Sequence, residues 1–251
     1  MTPRHGKALL YEYICIYTFL EQYRTALDAR NLPDEPVNQK AIELKVIERY
    51  SGLCCSTTNL SCGGAADKVE ARAGEWGVDL GSGRGRELFS LVDQVGPSGR
   101  LIGIDISDGM VDASSAAARE QGLATVEFRR RHLHDTGLED SSVDFMISNC
   151  AINHAPDKDA VYRDAFRFLK PGGRFVVSDI YATSEVPAHF ADDPDAVAEC
   201  WGGAVTRDAY LATLVAAGFQ ALEVLDESEP YDKGRIEVCS FTIRGRKPAH
   251  T

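Results

Sequence analysis

The stretch Trp76–Asp105 constrains the fold more than any other part of the chain. An apolar run, GVDL (77–80), meets three closely spaced glycines, Gly81, Gly83 and Gly85. A run of helical character follows over 86–95, then a second apolar run, RLIGI (100–104), which ends in Asp105. This succession predicts a strand, a tight turn, a helix and a second strand, the βαβ unit of a nucleotide-binding fold. The glycines allow the turn and let the backbone approach a ligand closely. An acid about 20 residues beyond such a loop can take both hydroxyls of a ribose. Asp105 meets that spacing, at 105 − 85 = 20 positions after Gly85.

The details of the loop narrow the ligand. A dinucleotide fingerprint reads G-x-G-x-x-G and rests a pyrophosphate on the helix N-terminus. Here the spacing is G-x-G-x-G, and Asp79 stands two residues before the first glycine. A carboxylate there repels a pyrophosphate but can receive an ammonium group, which favours a zwitterionic, phosphate-free ligand such as S-adenosylmethionine. The loop resembles motif I of class I methyltransferases. The resemblance continues in VDFMISN (143–149) and in FLKPGGRFVVSD (168–179). It implies a Rossmann-like class I methyltransferase fold of α/β class: a mostly parallel seven-stranded sheet with helices on both faces, a helical N-terminal extension and an inserted lid after strand 5. It also implies the cofactor contacts. Gly81, Ser82, Gly83 and Arg86 belong to the loop, and Asp79 faces the ammonium group. Asp105 faces the ribose, Ile106 and Met110 the adenine face, and His132 and Leu133 the adenine edge, while Asn149 begins the acceptor side. An NAD-type Rossmann domain and a non-enzymatic relic of the fold are the competing readings.

Length suits one α/β domain with additions, 251 residues in all. Residues 1–75 are expected as a helical extension, with helices near 7–29 and 39–50, followed by a cysteine-bearing loop over 51–66. Residues 76–251 are expected as the methyltransferase domain. Its strands fall near 77–80, 100–104, 125–129, 143–148, 173–179, 220–226 and 236–244, and its helices near 86–95, 109–121, 157–169 and 206–217. Ser107 or Asp108 is expected to cap the second of these helices. Residues 184–205 break the alternation and are expected to cover the site, with Asp192, Asp193 and Asp195 marking a helix start.

Lys and Arg number 27 against 38 Asp and Glu, a net charge of −11, which argues against general nucleic-acid binding. The cluster Arg129-Arg130-Arg131 is expected as a solvated strand edge paired with acids. No apolar run reaches the ~20 residues of a membrane span, and a cytoplasmic protein is expected. Seven cysteines (15, 54, 55, 62, 150, 200, 239) match no zinc spacing. Cys15 and Cys239 lie in apolar segments and read as core residues.

The remaining cysteines carry the chemistry. Ligands of open α/β sheets bind at the carboxyl ends of the strands, and Cys150 follows the fourth strand there. Cys200 lies in the lid, and Cys54, Cys55 and Cys62 lie in the loop before the core. Three distant segments can thus bring thiols to one face, which calls for a soft, thiophilic ligand. Trivalent arsenic takes three thiolates in a pyramid and keeps a lone pair that can attack a methyl sulfonium without a general base. The strings SNCAINHAPDK (148–158) and AECWGGA (198–204), beside DLGSGRGRE (79–87), resemble arsenite methyltransferases. That resemblance implies arsenic bound at Cys150 and Cys200, with Cys62 or one of Cys54 and Cys55 as a third thiol. It further implies a thiol reductant, glutathione or thioredoxin; the helix-rich N-terminus permits dimerisation, so monomer and homodimer both stay open. His154 follows the strand and can line the site, though a solvent-facing or capping position is the expectation; Trp201 is expected to close the pocket or pack the lid. Two alternatives stay open: a methyltransferase for a small organic or organoarsenical acceptor, with His154 as base, and a metalloid-binding protein without turnover.

Overall fold

The computed structural model describes residues 37–54 and 63–249. The helix expected near 7–29, with Cys15, and the loop cysteines Cys55 and Cys62 lie outside the described residues. Val37–Thr251 forms one compact unit. In chain order its elements are α1 (Val37–Leu53), α2 (Ala65–Lys68), β1 (Trp76–Leu80), α3 (Arg86–Val95), β2 (Arg100–Asp105) and α4 (Asp108–Glu120). Next come β3 (Val126–Arg130), β4 (Val143–Asn149), a 3-10 turn (Ile152–His154), α5 (Lys158–Phe168), β5 (Leu169–Ala182), and the lid helices α6 (Ala188–Ala191) and α7 (Pro194–Ala198). The chain closes with α8 (Arg207–Ala216), β6 (Gln220–Glu227), β7 (Tyr231–Lys233) and β8 (Ile236–Arg246).

The sheet order is β3-β2-β1-β4-β5-β8-β6, with β7 paired to β8. Strands β3 to β5 run parallel, and β8, β6 and β7 join antiparallel. The described sheet therefore has eight strands where the sequence predicts seven. The extra one is the three-residue β7, too short to carry a period-2 signal of its own, which folds back on β8 through Gly234. Strand β5 is also far longer than expected, because the Pro-Gly-Gly segment stays within it. Helix α1 runs three residues past the expected end, to Leu53, and Ala65 and Ala66 open α2 rather than finishing a loop.

Parallel strands flanked by helices are buried on both faces and read as near-continuous apolar runs. Leu80, Ile104, Met146, Val177 and Tyr162 fill the core on the α5 and α8 side. Leu88, Leu91, Val95, Phe145, Ile147 and Val176 fill the core beneath α2 and α3. Ser107 caps α4 by accepting from the Met110 N–H, and Asp193 caps α7 by accepting from the Asp195 N–H. Arg129 pairs with Glu127 and Arg130 with Asp108, so the basic cluster is the ion-paired sheet edge expected. Cys239 is buried in β8, as expected of a core residue. The strand order reverses between β1 and β4, which places a ligand crevice at their carboxyl ends. Helix α1 lies across α7 and α4.

Candidate active site

The glycine loop begins where β1 ends. The N–H groups of Gly81 and Ser82 both donate to the Ile104 carbonyl, at 2.8 and 3.0 Å, so the turn is tied to β2. Gly81 has φ +78°, and a Cβ there would lie 2.1 Å from Cβ of Ala151, just after β4. Only glycine satisfies both conditions. At Gly83, φ is +49° and a Cβ would meet nothing within 4 Å, so the loop faces open space. Asp105 is held at the end of β2 by two backbone donors, the N–H of Gly83 (2.9 Å) on Oδ2 and that of Ser107 (2.9 Å) on Oδ1. Burial raises its pKa, and those two bonds pull it back.

Asp79 is buried, and its Oδ1 has no hydrogen-bond partner; the Oγ of buried Ser82 has none either. Burial, then the nearby Glu87 and Asp105, push the Asp79 carboxyl well above the usual carboxylate range. Buried polar atoms are rarely left unpaired. A cluster of acids with an orphaned oxygen beside an open glycine loop is a site shaped for a cationic donor, so an ammonium-bearing nucleoside fits these residues.

Asn149 donates to the Gly63 carbonyl (2.7 Å) and to Glu87 Oε1 (3.2 Å), while Glu87 Oε2 accepts from the Ala66 N–H (2.7 Å). Glu87, not singled out from the sequence, thereby links the start of α3 to the end of β4. Met110 is buried, and Ile106 packs with Ile42, Val46 and Tyr50 of α1 and Val197 of α7. Three further expected contacts are placed as follows. The Arg86 side chain is exposed at the start of α3. Leu133 packs against the main core, and His132 lies 3.9 Å from Glu43 of α1 with 42% of its side chain exposed.

The second half of the site is built by β4, the lid and α1. Cys150 and Cys200 are both 5% exposed and belong to one apolar cluster with Ile180, Ala196, Trp201 and Val238. The Cys200 thiol donates to the Cys150 carbonyl at 3.5 Å. Both cysteines adopt left-handed backbone, φ +53° at Cys150 and +73° at Cys200. For a residue with a Cβ such conformations cost of order 1 kcal/mol, persist only where surroundings enforce them, and cluster at functional sites. Cys150 is disulfide-bonded. Burial pushes the Cys200 thiol up to about 11. Cys54 is half-buried just past the end of α1. Among the described residues no cluster of three or more His, Cys, Asp and Glu side chains forms a metal site.

His154 does not face solvent. Its Nδ1 lies 2.8 Å from the Val197 carbonyl, and its Nε2 lies 2.9 Å from the Tyr50 hydroxyl and 3.1 Å from Cys200 Sγ. The 3-10 turn after β4 curls the ring under the lid, and burial lowers its pKa. Below it, buried Asp179 accepts from Asn153 Nδ2 (3.0 Å) and from the Ile180 N–H (2.8 Å). Its Oδ2 and the Asn153 Oδ1 are unpaired. Burial raises the Asp179 pKa and lowers that of Lys158, at the start of α5, to about 8. Trp201 packs edge-to-face on Phe190 and donates to Glu199 (3.0 Å), a packing role in the lid. The lid glycines are needed for contact: a Cβ at Gly203 would lie 1.8 Å from the Asn153 carbonyl oxygen.

A family model described as a methyltransferase domain matches residues 73–220. The chain belongs to that methyltransferase family. An arsenite methyltransferase of Halobacterium salinarum is 38% identical over 200 residues, covering 76% of this chain and 51% of its own length. The human arsenite methyltransferase is 33% identical over 139 residues, 52% of this chain and 37% of that protein. The chain thus spans about half the length, or less, of these curated relatives. Among solved structures, an arsenic(III) S-adenosylmethionine methyltransferase from Chlamydomonas reinhardtii superposes with a TM-score of 0.67 at 27% identity, covering 86% of this chain and 76% of that one. The Rossmann-like methyltransferase fold read from the sequence is therefore the fold of this chain. Among the described residues no helix is long and apolar enough to cross a membrane.

Proposed function

We propose that this chain transfers methyl groups from S-adenosylmethionine to trivalent arsenic held by Cys150 and Cys200. The observation that carries the reading is the convergence of these two cysteines, 50 positions apart in sequence, in one buried apolar cluster, with the Cys200 sulfur 3.5 Å from the Cys150 carbonyl. The names of the relatives above support it.

On this reading Asp79 receives the ammonium group, Asp105 the ribose hydroxyls, and Gly81 to Gly83 the methionine backbone. Bound there, S-adenosylmethionine supplies a sulfonium-borne methyl group to the arsenic lone pair. The protein contributes position and dryness: once the Cys150 disulfide is reduced, its thiol and that of Cys200, both on left-handed backbone and buried with Trp201, hold the acceptor away from water. Cys62, Cys54 or Cys55 supplies the third thiol. Each transfer leaves arsenic formally pentavalent. Two enzyme thiols closing to a disulfide return two electrons to it, and glutathione or thioredoxin then reduces the disulfide. Dependence on a thiol reductant suits the cytoplasm.

The test is methyl transfer from labelled S-adenosylmethionine with arsenite and glutathione, the arsenic products being separated and counted. The native protein is expected to yield labelled methylarsenic. Cys150→Ser is expected to yield none while its cofactor affinity is unchanged. Full activity in Cys150→Ser sinks the thiol-site reading. Label appearing only in an organic acceptor moves the function to a small-molecule methyltransferase.

A further inference from the structure

Glu87 stands in the first turn of α3, between the acid assigned to the cofactor and the chain that leads into α2, and none of the roles above uses it. Its Oε2 accepts from the Ala66 N–H at 2.7 Å, and its Oε1 accepts from Asn149 Nδ2 at 3.2 Å. The same Asn149 amide donates to the Gly63 carbonyl at 2.7 Å. One carboxylate and one amide thus hold residues 63–66 against the end of β4 and against β5. The seat is close: a Cβ at Gly63 would lie 2.7 Å from both Cβ and Oγ of Ser178. The Ser178 carbonyl in turn accepts from the Cys150 N–H at 2.8 Å. Behind the clamp, Ala65, Ala66 and Val69 are buried in one cluster with Leu88 and Leu91 of α3. Gly63 follows Cys62, one of the candidates for the third thiol, in the chain. The other neighbour of Glu87 is Asp79. After burial, Glu87 does most to hold the Asp79 carboxyl above the usual range, so the two acids repel. That repulsion pushes Glu87 away from β1 and works against the clamp. An ammonium group bound at Asp79 sets a positive charge beside both acids and offsets it.

We propose that Glu87 is a positioning residue that couples the two halves of the site: its carboxylate docks residues 63–66 beside the acceptor side, and docks them more firmly when the cofactor's ammonium group is bound at Asp79. By linkage, the docked segment favours the cofactor by the same factor. The coupling rests on the cofactor half of the reading above, the ammonium group at Asp79, and is independent of what the acceptor is.

The test needs no arsenic. Amide hydrogen exchange over Ala65–Val69 is followed by mass spectrometry, on protein whose Cys150 disulfide has been reduced so that only the non-covalent clamp is read. S-adenosylhomocysteine, which carries the same ammonium group, is expected at saturation to slow exchange there about fivefold, the low end of common couplings. Glu87→Gln keeps the shape of the side chain but carries no charge and only one acceptor oxygen. In that variant the ligand is expected to leave the exchange unchanged. A carboxylate that merely braced α2 would speed exchange by the same factor with and without ligand, so an equal slowing in native protein and variant overturns the proposal. Gly63→Ala reads the coupling from the other side and keeps it decidable should Glu87→Gln fold poorly. It drives a Cβ onto Ser178 and unseats the segment while leaving both acids in place. S-adenosylhomocysteine is expected to bind this variant about fivefold more weakly by calorimetry, and undiminished affinity overturns the proposal. Bound ligand with unchanged exchange in the native protein overturns the coupling alone. A native protein that binds no S-adenosylhomocysteine overturns the cofactor reading and the coupling with it.

Discussion

Asp79→Asn should make the empty protein more stable and the loaded one weaker. The Asp79 carboxyl is buried with one oxygen unpaired and has Glu87 and Asp105 as neighbouring acids. Its folded pKa lies well above the 3.8 of a free aspartate. A raised acid pKa means that the folded state binds more protons than the unfolded state, so stability falls as pH rises from near 4 toward the folded pKa. At neutral pH the penalty is present. Leaving a buried polar group unsatisfied costs about 1–3 kcal/mol. Asparagine keeps the shape and cannot ionise, so the variant should gain about 2 kcal/mol at pH 7, a Tm rise of about 4–8 °C for a unit of this size. Its advantage should widen as pH rises from near 4 toward the raised folded pKa. A ligand whose ammonium pairs with Asp79 should behave oppositely. At a hundredfold excess over Kd it stabilises the native protein by about 2.7 kcal/mol, and most of that should vanish in the variant. Thermal unfolding by circular dichroism, with and without S-adenosylhomocysteine, measures both effects. A lower Tm in the ligand-free variant at pH 7, or an undiminished ligand shift, refutes the reasoning.

Gly203→Ala drives a Cβ to 1.8 Å from the Asn153 carbonyl. It should displace the lid, cost about 3 kcal/mol in urea unfolding and abolish the proposed transfer to arsenic while cofactor binding persists. For Lys158, burial lowers the pKa from 10.5 to about 8. The unfolded chain then binds the extra proton between those values, and native stability should rise by about 2 kcal/mol as pH climbs from 8 to 10.5. Lys158→Met should flatten that limb in urea titrations; an unchanged slope would assign the rise to another group.

Much of the fold and part of the site were legible because they depend on local patterns. Strand-length apolar runs, a glycine triplet and an acid at fixed distance specify a βαβ unit wherever they occur, and they single out Asp79, Gly81, Gly83 and Asp105 as candidates. Cys150 and Cys200 were legible only as strings resembling a family; nothing local to either forecasts the other. What escaped was set by tertiary contact. The sequence gives no sign that the turn after β4 would bury His154, since an isolated histidine beyond a strand carries no periodic signal. Tyr50 reads as one more apolar position on an amphipathic helix, and its hydroxyl gains meaning only when α1 crosses the lid. Asp179 sits in an apolar strand, and a lone acid in such a run was the one available hint of a polar cluster beneath the thiols. Strand β7 is three residues long and owes its existence to β8.

Both cysteines of the pocket lie on left-handed backbone. At such positions glycine is the residue that relieves the main chain, by roughly 1 kcal/mol apiece. A sequence shaped by folding stability alone would therefore carry glycine at 150 and at 200. Each instead carries a sulfur, although Asn149 adjoins Cys150 and Gly202 lies two residues past Cys200, so the backbone cost at both positions comes with the side chain that the proposed arsenic site uses. It also means that serine or alanine replacements, which remove the sulfur and leave the backbone cost, isolate the chemistry more cleanly than glycine would.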